Sequence, residues 1–408
     1  MKGIWGGGLV GLLMSISAIG HGADIESYVV GGTPARPGDD LRWMASLRNT
    51  TADTSHFCGG SIVNERWVLT AAHCVVQGDI GNEYTVPPNN LAVMVGTLGS
   101  EVTDPSDLYQ VSHVVVHPDY SPYAVISITV DDDGKEIKEV SQLALDNDVA
   151  LLRVNRSFPF PKVSSIKLAN SQVAQRLESK LSSEWNEASR PENVMVSGWG
   201  STKSDGTGIS ETLMQANLSY LPIADCFNLL ERGNEAHYII DSPSNLTKVC
   251  ALPPDVLFDQ NGAPLNYGPD SCKGDSGGPL VTKNFDGDWV QLGIVSGGPV
   301  GSPVCGAYLR PGFYARVGNY YEWIEDNVGT IPEAPVTNPD FIEGGSNEGE
   351  GGSGSEPGDG KTDEDCNPNV SGISPNNCAL IADGGGGAMT LFALACLLIL
   401  LYRTNRHD

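Results

Sequence analysis

Ser276 lies in a stretch whose composition suits nucleophilic catalysis. The stretch Gly268–Leu280 reads GPDSCKGDSGGPL and places this hydroxyl among glycines. Glycines let the backbone turn tightly and let a substrate carbonyl come close, and they leave N–H groups free to face a developing negative charge. A serine attacks an amide at neutral pH only when a neighbouring base takes its proton and a third group orients that base. Chemistry at Ser276 therefore requires a histidine and a carboxylate from elsewhere in the chain.

Two further segments offer those groups. Leu69–Cys74 reads LTAAHC and contains His73, and Asp146–Leu152 reads DNDVALL and contains Asp148. Taken singly, the serine could be a turn residue, the histidine a metal ligand and the aspartate a solvated start of a strand. Their joint occurrence in the order His, Asp, Ser, each with a matching flank, favours catalysis.

With these three motifs the chain resembles the trypsin/chymotrypsin family of serine endopeptidases, from Val29 to about Val328. The resemblance implies hydrolysis of peptide bonds through an acyl-enzyme, with His73 as base, Asp148 as its orienting partner and Ser276 as nucleophile. It assigns the oxyanion hole to the N–H groups of Gly274 and Ser276, and it implies no cofactor and no metal. The alternative is a surface-tethered binding or adhesion module on the same fold, for which catalysis is dispensable.

The elements that must position these groups are strands. From Arg42 onward, short runs alternate apolar and polar residues between Gly, Asn, Asp and Pro, and no long helical period precedes the end of the domain. This pattern predicts an all-β barrel or sandwich. The resemblance sharpens it to two packed six-stranded antiparallel β-barrels, with His73 and Asp148 in the first barrel and Ser276 in the second. A short helix near Tyr320–Asn327 is expected to close the domain.

The resemblance also implies a substrate preference. Asp270 matches the floor of the family's primary pocket, where a buried carboxylate favours long cationic side chains; a surface turn is the alternative for this residue. Gly298 and Gly312 match pocket-wall glycines, and Ser296 begins a stretch that pairs with the substrate backbone. Cleavage after Arg or Lys is therefore expected. Gly297 stands where the family usually has Trp, which predicts weaker or different selection two residues before the cut.

An activation step is expected near the N-terminus. Residues 24–28 (DIESY) precede Val29, which begins VVGGTPA. In the family, cleavage before such a segment frees an α-amino group that pairs with the Asp preceding the catalytic Ser, here Asp275; a plain edge strand is the alternative. An unpaired buried carboxylate is costly, so the new ammonium would organise the serine loop. Tyr28 replaces the usual Arg or Lys before the cut, which predicts a separate activating protease.

Charge and the first residues bear on location and partners. The chain has 408 residues and a formal net charge of −26, which argues against nucleic acid or an anionic membrane surface as a partner. Met1–Ala23 combines Lys2, an apolar run and terminal small residues, as a secretory signal peptide does. Export to the cell surface or medium is therefore expected, with protein or peptide substrates there.

The nine cysteines suit an oxidising compartment. The resemblance implies the disulfides Cys58–Cys74, Cys226–Cys250 and Cys272–Cys305, each contributing about 2–4 kcal/mol. Spacing and compartment alone suggest a further pair, Cys366–Cys378. Metal binding is the alternative use of cysteine, but the chain has no CxxC spacing.

Tyr120–Leu143 is longer than the corresponding loop of the family. Ala124–Val130 and Lys135–Val140 alternate on either side of DDDG, which predicts a projecting hairpin. The hairpin could overhang the non-primed side of the cleft or be a solvated insertion without a role. A calcium site at Asp131–Asp133 is a further hypothesis, although the EF-hand pattern is absent.

The C-terminal part changes composition. Pro332–Asp365 is rich in Gly, Ser, Pro, Glu and Asp, which predicts a disordered acidic linker. Gly384–Gly387, the apolar run Ala388–Tyr402 and Arg403 resemble the Gly-Gly sorting tail of Gram-negative bacteria, which secretion and tail-processing machinery handle. A permanent membrane anchor or a buried core helix is the alternative.

These observations divide the chain into five predicted parts: a signal peptide at 1–23, an activation propeptide at 24–28, a protease domain at 29–330, an acidic linker with a small disulfide loop at 331–383, and a Gly-rich motif with a hydrophobic sorting or anchor helix at 384–408.

Overall fold

Strands form two closed antiparallel β-barrels of six strands each. The computed structural model describes residues 29–50, 55–131, 135–234, 236–298, 301–343 and 378–381. The first barrel consists of β1 (Met44–Asn49), β2 (His56–Ile62), β3 (Trp67–Thr70), β4 (Leu91–Val95), β5 (Leu108–Val116) and β6 (Ala150–Val154). The second consists of β7 (Val194–Gly198), β8 (Met214–Leu221), β9 (Lys248–Leu252), β10 (Pro279–Lys283), β11 (Trp289–Gly297) and β12 (Gly312–Arg316). The predicted fold class is confirmed.

Both barrels close in the same strand order. The first runs β6-β3-β2-β1-β4-β5 and closes where β5 pairs with β6. The second runs β8-β7-β10-β11-β12-β9 and closes where β8 pairs with β9. Because a closed barrel has no free edge, new chemistry is carried by the loops at strand ends.

Aliphatic strands supply the cores. β4 reads LAVMV and is buried at every position, and residues such as Val93, Leu151 and Leu280 have no exposed surface. Complete burial of one such side chain contributes about 1.5–3 kcal/mol. The packed barrels therefore hold the ends of their strands, and the loops that leave them, in fixed positions.

Short strands and turns complete the domain. The short strands are Thr33–Pro34, Val76–Gln77, Tyr84–Thr85, Lys167–Leu168 and Val336–Thr337, and the single 3-10 turns are Ala72–Cys74, Pro88–Asn90 and Pro105–Asp107. The helices are α1 (Ser171–Glu184), α2 (Ile223–Leu230), α3 (Val317–Val328) and α4 (Asp340–Glu343). The terminal helix was predicted, and α3 begins three residues earlier than expected.

α1 corrects the expectation that no helical period would precede the end of the domain. The helix lies between the barrels in sequence, and its N-cap Asn170 accepts a hydrogen bond from a backbone N–H of the first turn. Ala174, Leu177 and Leu181 form its buried face. A Cβ at Gly318 of α3 would lie 2.4 Å from the Cβ of Ala174, so this glycine permits the close approach of the two helices.

The insertion after the first barrel's fifth strand is a hairpin, as predicted. Ala124–Val130 pairs antiparallel with Glu136–Gln142, and Ala124 and Ile126 at its base are buried in one cluster with Tyr238. The backbone of Cys378–Ile381 pairs in parallel with the first strand of this hairpin. Residues 132–134, and with them most of the predicted turn and the predicted calcium ligands Asp132 and Asp133, lie outside the described residues.

The folded chain continues past the predicted boundary at residue 330. Val336–Thr337 pairs in parallel with β5, the N–H of Asp340 donates to Pro118 O at 2.9 Å, and the ring of Phe341 packs 6.3 Å from that of Tyr120. The first residues assigned to the linker therefore pack on the first barrel. They do so because Val336 and Ile342, which are partly buried there, cover apolar surface that the following Gly, Ser and Glu cannot cover.

The three disulfides implied by family resemblance are confirmed: Cys58–Cys74, Cys226–Cys250 and Cys272–Cys305. The signal peptide, the propeptide, the Cys366–Cys378 side chains, residues 344–377 of the predicted linker and the sorting tail lie outside the described residues. Among the residues that are described, no helix has the length and apolar character needed to cross a membrane.

Candidate active site

The end of β3 and the start of β6 place His73 beside Asp148. These strands are antiparallel neighbours, with Thr70 opposite Ala150, so the turn after β3 and the loop before β6 share one end of the barrel. His73 lies in the 3-10 turn Ala72–Cys74. Its Nδ1 is 2.7 Å from Asp148 Oδ2, and its backbone N–H donates to Asp148 Oδ1 at 2.9 Å. The two contacts orient the imidazole.

Asp148 is held from the second barrel as well. Its side chain has no exposed surface, and the hydroxyl of Ser296, on β11, donates to Asp148 Oδ2 at 2.6 Å. A buried carboxylate is stable only when donors surround it. The Ser296 contact therefore links the two barrels at the carboxylate that orients His73.

The Ser276 loop reaches the first barrel just below the His73 turn. Ser276 O accepts from Gly59 N at 2.7 Å. A Cβ at Gly277 would lie 2.1 Å from Thr70 Oγ1, so only glycine allows this approach. Ser276 is 5% exposed and lines a pocket at the surface of the second barrel.

The hydroxyl of Ser276 makes no hydrogen bond to another group in the described ranges, and His73 Nε2 has the sulfur of Cys74 at 3.8 Å. Hydrogen bonds between reacting groups are often long in a ligand-free enzyme and shorten in the substrate complex. The hydroxyl and Nε2 both keep their hydrogen-bonding capacity for a substrate.

The loop before Ser276 presents free backbone donors. Gly274 adopts a φ of 95°, a left-handed conformation that favours glycine. The N–H groups of Asp275 and Gly277 donate within the protein, but those of Gly274 and Ser276 have no acceptor among the described residues. An oxyanion hole requires two such unpaired N–H groups close to the nucleophile, and here they lie two residues apart in the serine loop.

His56 supports this loop, and sequence reasoning did not identify it. Its Nε2 lies 2.8 Å from Gly274 O, and its Nδ1 lies 2.8 Å from Ser46 Oγ. Burial lowers the pKa of His56 to about 4, so the ring is neutral near neutral pH. A neutral ring that donates from Nε2 and accepts at Nδ1 satisfies both contacts. Nothing in the local spacing around HFCGG marks this histidine, because its partners lie on β1 and on the distant serine loop.

A pocket opens beside Ser276, and Asp270 lies inside it. The pocket is lined by Asp270, Ser271, Cys272, Lys273, Ser276, Val295, Ser296, Gly297, Gly298, Val304, Cys305, Gly306, Ala307, Arg310 and Gly312. Asp270 Oδ1 accepts from Ser271 N at 2.8 Å, and Oδ2 accepts from Gly306 N at 3.2 Å. The disulfide Cys272–Cys305 joins the serine loop to the opposite wall.

Glycines keep the pocket open. A Cβ at Gly312 would lie 3.4 Å from Tyr314 Oη and 3.7 Å from Asp270 Oδ1, and a Cβ at Gly298 would lie 3.9 Å from Gly312 Cα. Larger side chains at these two positions would therefore narrow the path to Asp270. The residues predicted as pocket floor and walls lie together in this structure.

The side chains of Phe313 and Leu145 occupy the space beside Gly297. A Cβ at Gly297 would lie 2.7 Å from Cζ of Phe313 and 3.2 Å from Cδ1 of Leu145. Phe313 is fully buried. The aromatic ring therefore lies under the strand at this point, and a Trp at 297 would require Phe313 to move.

Burial raises the pKa of Asp270 to about 7, although the N–H groups of Ser271 and Gly306 act in the opposite direction, and the nearby Asp275 raises it further. Burial likewise raises the pKa of Asp275 to about 7. The pocket therefore contains a carboxyl group whose pKa lies near neutral pH, and no Lys, Arg or His of the described residues forms an ion pair with it.

This pKa predicts a pH-dependent affinity for cations. A cationic ligand binds the carboxylate form, so binding must release a proton below the pKa of Asp270, and affinity should fall as pH falls through about 7. Benzamidine should bind about tenfold more tightly at about pH 8 than at about pH 6. Isothermal titration of a Ser276→Ala protein measures this affinity without turnover. An Asp270→Asn variant should show no such slope, and a flat wild-type profile would refute the assignment.

Residues 29–32 form a turn behind the pocket floor. Val29 and Val30 have no exposed surface, and Val30 O accepts from Asp270 N at 3.0 Å. A Cβ at Gly31, whose φ is 67°, would lie 3.2 Å from Pro269 Cα. The first described residues therefore pack directly on the segment that carries Asp270.

Asp275 lies in the same region and accepts only backbone donors. Its Oδ1 accepts from Gly200 N at 2.8 Å and its Oδ2 from Cys272 N at 2.9 Å. It is 1% exposed, and no Lys, Arg or His pairs with it in the part of the chain that the structure describes. A buried carboxylate in this state would gain from a cation.

Comparisons with known proteins agree with this geometry. Residues 29–324 match the sequence model of the trypsin family. The chain belongs to the trypsin family of serine proteases. It is accordingly a trypsin-like serine endopeptidase, an enzyme that hydrolyses peptide bonds of protein substrates.

Curated relatives of the protease carry matching names. "Serine protease 41" of Homo sapiens is 33% identical over 309 residues, covering 75% of this chain and 78% of the relative. "Trypsin Tyr p 3.0101" of Tyrophagus putrescentiae is 31% identical over 302 residues, covering 74% and 80%. "CLIP domain-containing serine protease B4" of Anopheles gambiae is 29% identical over 324 residues, covering 75% and 72%. These names favour an enzyme over an adhesion module.

Three side chains of the protease have potential metal-ligating atoms within 4.8 Å of one another: Cys58, His73 and Cys74. The two sulfurs are joined in a disulfide, which leaves no thiolate to bind a metal. The cluster instead braces the turn that carries His73.

Proposed function

We propose that this protease cleaves peptide bonds after Arg or Lys, with Ser276 as nucleophile, His73 as general base and Asp148 as the group that orients it. The observation that carries the proposal is the position of Asp270, a buried carboxylate in a glycine-walled pocket that Ser276 also lines. An Arg or Lys side chain that enters this pocket supplies the missing cation and presents the following carbonyl to the serine.

Acylation begins when the substrate carbonyl reaches the Ser276 hydroxyl. His73 Nε2 accepts the hydroxyl proton as the oxygen attacks, while Nδ1–H stays bonded to Asp148, which stabilises the imidazolium. The same proton then passes to the leaving amine. Water repeats the sequence against the acyl-enzyme and releases the product acid.

The tetrahedral intermediate places its oxyanion at the serine loop. The N–H groups of Gly274 and Ser276 would receive it, and loss of one such donor typically costs about 3 kcal/mol of transition-state stabilisation. The contact between His56 and Gly274 O supports this role, because it fixes the peptide unit between the two donors, whose own N–H, that of Asp275, donates to Cys272 O.

Mapping of cleavage sites tests the specificity. The matured protease, incubated with a proteome-derived peptide library, should cut after Arg and Lys and at few other residues, as read by mass spectrometry of the new termini. Cleavage mainly after apolar or acidic residues would contradict the proposal. A Ser276→Ala preparation made in parallel identifies cuts by contaminating proteases.

We further propose that the protease is made as a zymogen and activated by cleavage between Tyr28 and Val29. The freed ammonium of Val29 would pair with Asp275, whose buried carboxylate has no Lys, Arg or His partner among the residues that the structure describes. The backbone at Val29 supports this proposal: its φ of 40° is strained for a β-branched residue, and cleavage before it removes that constraint.

Because Tyr28 is not a residue that an Asp270 pocket favours, the zymogen should not activate itself. Purified full-length protein is expected to keep Tyr28 joined to Val29 and to show less than about 1% of the matured activity. A variant with Tyr28→Arg is the matched control and should mature on its own. N-terminal sequencing reads both outcomes, and wild-type protein that acquired a Val29 terminus unaided would contradict the prediction.

The proposed export of the protein, and the proposed division of its chain into segments, are inferred from the sequence alone. We propose a signal peptide at 1–23, a propeptide at 24–28, a protease domain from 29, an acidic linker, and a C-terminal sorting or anchor segment at 384–408 that contacts a membrane at least before processing. The proposed location is the cell surface or medium of a bacterium. Intact-mass analysis of surface-released protein tests the last part: a mass that includes Arg403–Asp408 would exclude removal of the tail.

A further inference from the structure

Arg190 is a buried cation behind the primary pocket. It is 3% exposed and follows α1 in the segment that leads to β7. Its guanidinium lies 3.7 Å from the centre of the Tyr308 ring, and Nη1 donates to Pro253 O at 3.0 Å and to Tyr308 O at 2.7 Å. A single side chain thus joins two separate segments of the second barrel.

One of these segments supports the pocket floor. The chain leaving β9 at Pro253 packs on Gly268, where an added Cβ would lie 2.7 Å from Pro253 Cβ and 1.9 Å from Asp255 O. Gly268 N in turn donates to Gly306 O at 2.8 Å, and Gly306 N donates to Asp270. A shift of Pro253 would therefore be transmitted to the Asp270 carboxylate through two backbone contacts.

The other segment is a pocket wall. Tyr308 lies between Ala307 and Arg310, which both line the pocket. Its own N–H donates to Asn266 O at 3.2 Å. The wall residues around Tyr308 belong to a loop rather than a strand, so their position depends on contacts of this kind.

From these contacts we infer that Arg190 is a positioning residue for the primary pocket: its guanidinium holds the Pro253 and Tyr308 segments at the spacing at which Asp270 accepts a cationic side chain. The inference rests on the proposed preference for Arg and Lys.

The setting of Arg190 supports a positional role over a simple gain in stability. No carboxylate forms an ion pair with it in the described ranges, and Nε has no hydrogen-bond partner. Its backbone φ is 37°, which is unfavourable for a residue other than glycine. Burial lowers the pKa of its guanidinium. A burial cost, an unpaired donor and a strained backbone at one residue are more typical of a functional requirement than of optimised packing.

Affinity and turnover separate this role from a structural one. Full-length protein in which residues 24–28 are replaced by Asp-Asp-Asp-Asp-Lys can be matured with enteropeptidase and compared as wild type, Arg190→Met and Arg190→Lys. Arg190→Met should raise the Kd for benzamidine and the KM for an Arg substrate about tenfold, with kcat and the rate of modification by diisopropyl fluorophosphate within about twofold. Arg190→Lys should lie close to Arg190→Met, because an ammonium has no planar face to stack on the Tyr308 ring and the shorter lysine side chain does not bring its nitrogen to the position of Nη1.

Arg316→Met is the matched control. Arg316 also binds main-chain oxygens of the second barrel, at Asn245 and Lys248, and pairs with Glu178, but it does not line the pocket. This variant should lower Tm without changing Kd or KM. Wild-type affinity in Arg190→Met would overturn the inference alone, whereas wild-type protein that binds no benzamidine would overturn the proposed specificity and the inference with it.

Discussion

Replacing Ser276 with alanine should lower kcat for peptide hydrolysis by about 10⁵- to 10⁶-fold, because no other group on the serine loop can form the acyl-enzyme. Affinity for benzamidine should stay within about twofold of wild type, since the Asp270 carboxylate and its glycine walls are untouched. Steady-state peptide hydrolysis and isothermal calorimetry measure the two effects on the same preparations.

Ser219→Ala is the control for this substitution. Ser219 is a fully buried serine of β8 whose hydroxyl has no hydrogen-bond partner among the described residues, so its removal should leave kcat unchanged and should not lower Tm. A Ser276→Ala protein that kept more than about 1% of wild-type kcat would mean that another residue is the nucleophile.

Replacing Asp270 with serine should lower kcat/KM for Arg and Lys substrates by about 10³-fold, since the substrate cation would then enter a pocket that offers it no charge. Activity against substrates with a small apolar residue before the cut should be retained or should rise, because the burial of an unpaired carboxylate no longer opposes their entry. Paired assays with an Arg and an Ala peptide of otherwise identical sequence give the ratio directly.

The control removes a carboxylate from the same barrel. Asp288 is exposed and pairs with Lys167 at 2.6 Å, and Asp288→Ser should change neither substrate class. Diisopropyl fluorophosphate should still modify Ser276 at the wild-type rate in Asp270→Ser. Retention of the preference for Arg and Lys in that variant would show that Asp270 is not the pocket floor.

The chemistry of the site could be predicted from sequence because each catalytic residue is marked by the few residues next to it in the chain. His73, Asp148 and Ser276 each lie in a short motif whose flanks are strand ends or glycine turns, and closed barrels bring such ends together. The period-2 alternation predicted a β-barrel or sandwich, and the two barrels were implied by the family resemblance that those motifs carry. The disulfide Cys58–Cys74 followed from the same resemblance, since it spans the His73 turn.

The parts that the sequence did not reveal depend on distant contacts or on a weak periodic signal. Asn170 followed by Val173, Leu177 and Leu181 does carry a helical spacing, but the polar residues between them outnumber the apolar ones, and α1 was missed. His56 and Arg190 contact backbone carbonyls that are far away in sequence. Because every residue type has a backbone carbonyl, the sequence does not show which carbonyls will lie beside these side chains. The packing of residues 331–343 on β5 was hidden by the acidic stretch that follows.

Acylation by p-nitrophenyl p′-guanidinobenzoate tests the central claim most directly, because this reagent combines a cation for Asp270 with an ester for Ser276. The matured protease should release a stoichiometric burst of p-nitrophenol, and peptide mapping should place the guanidinobenzoyl group on Ser276. No burst, or an adduct on any other residue, would contradict the account.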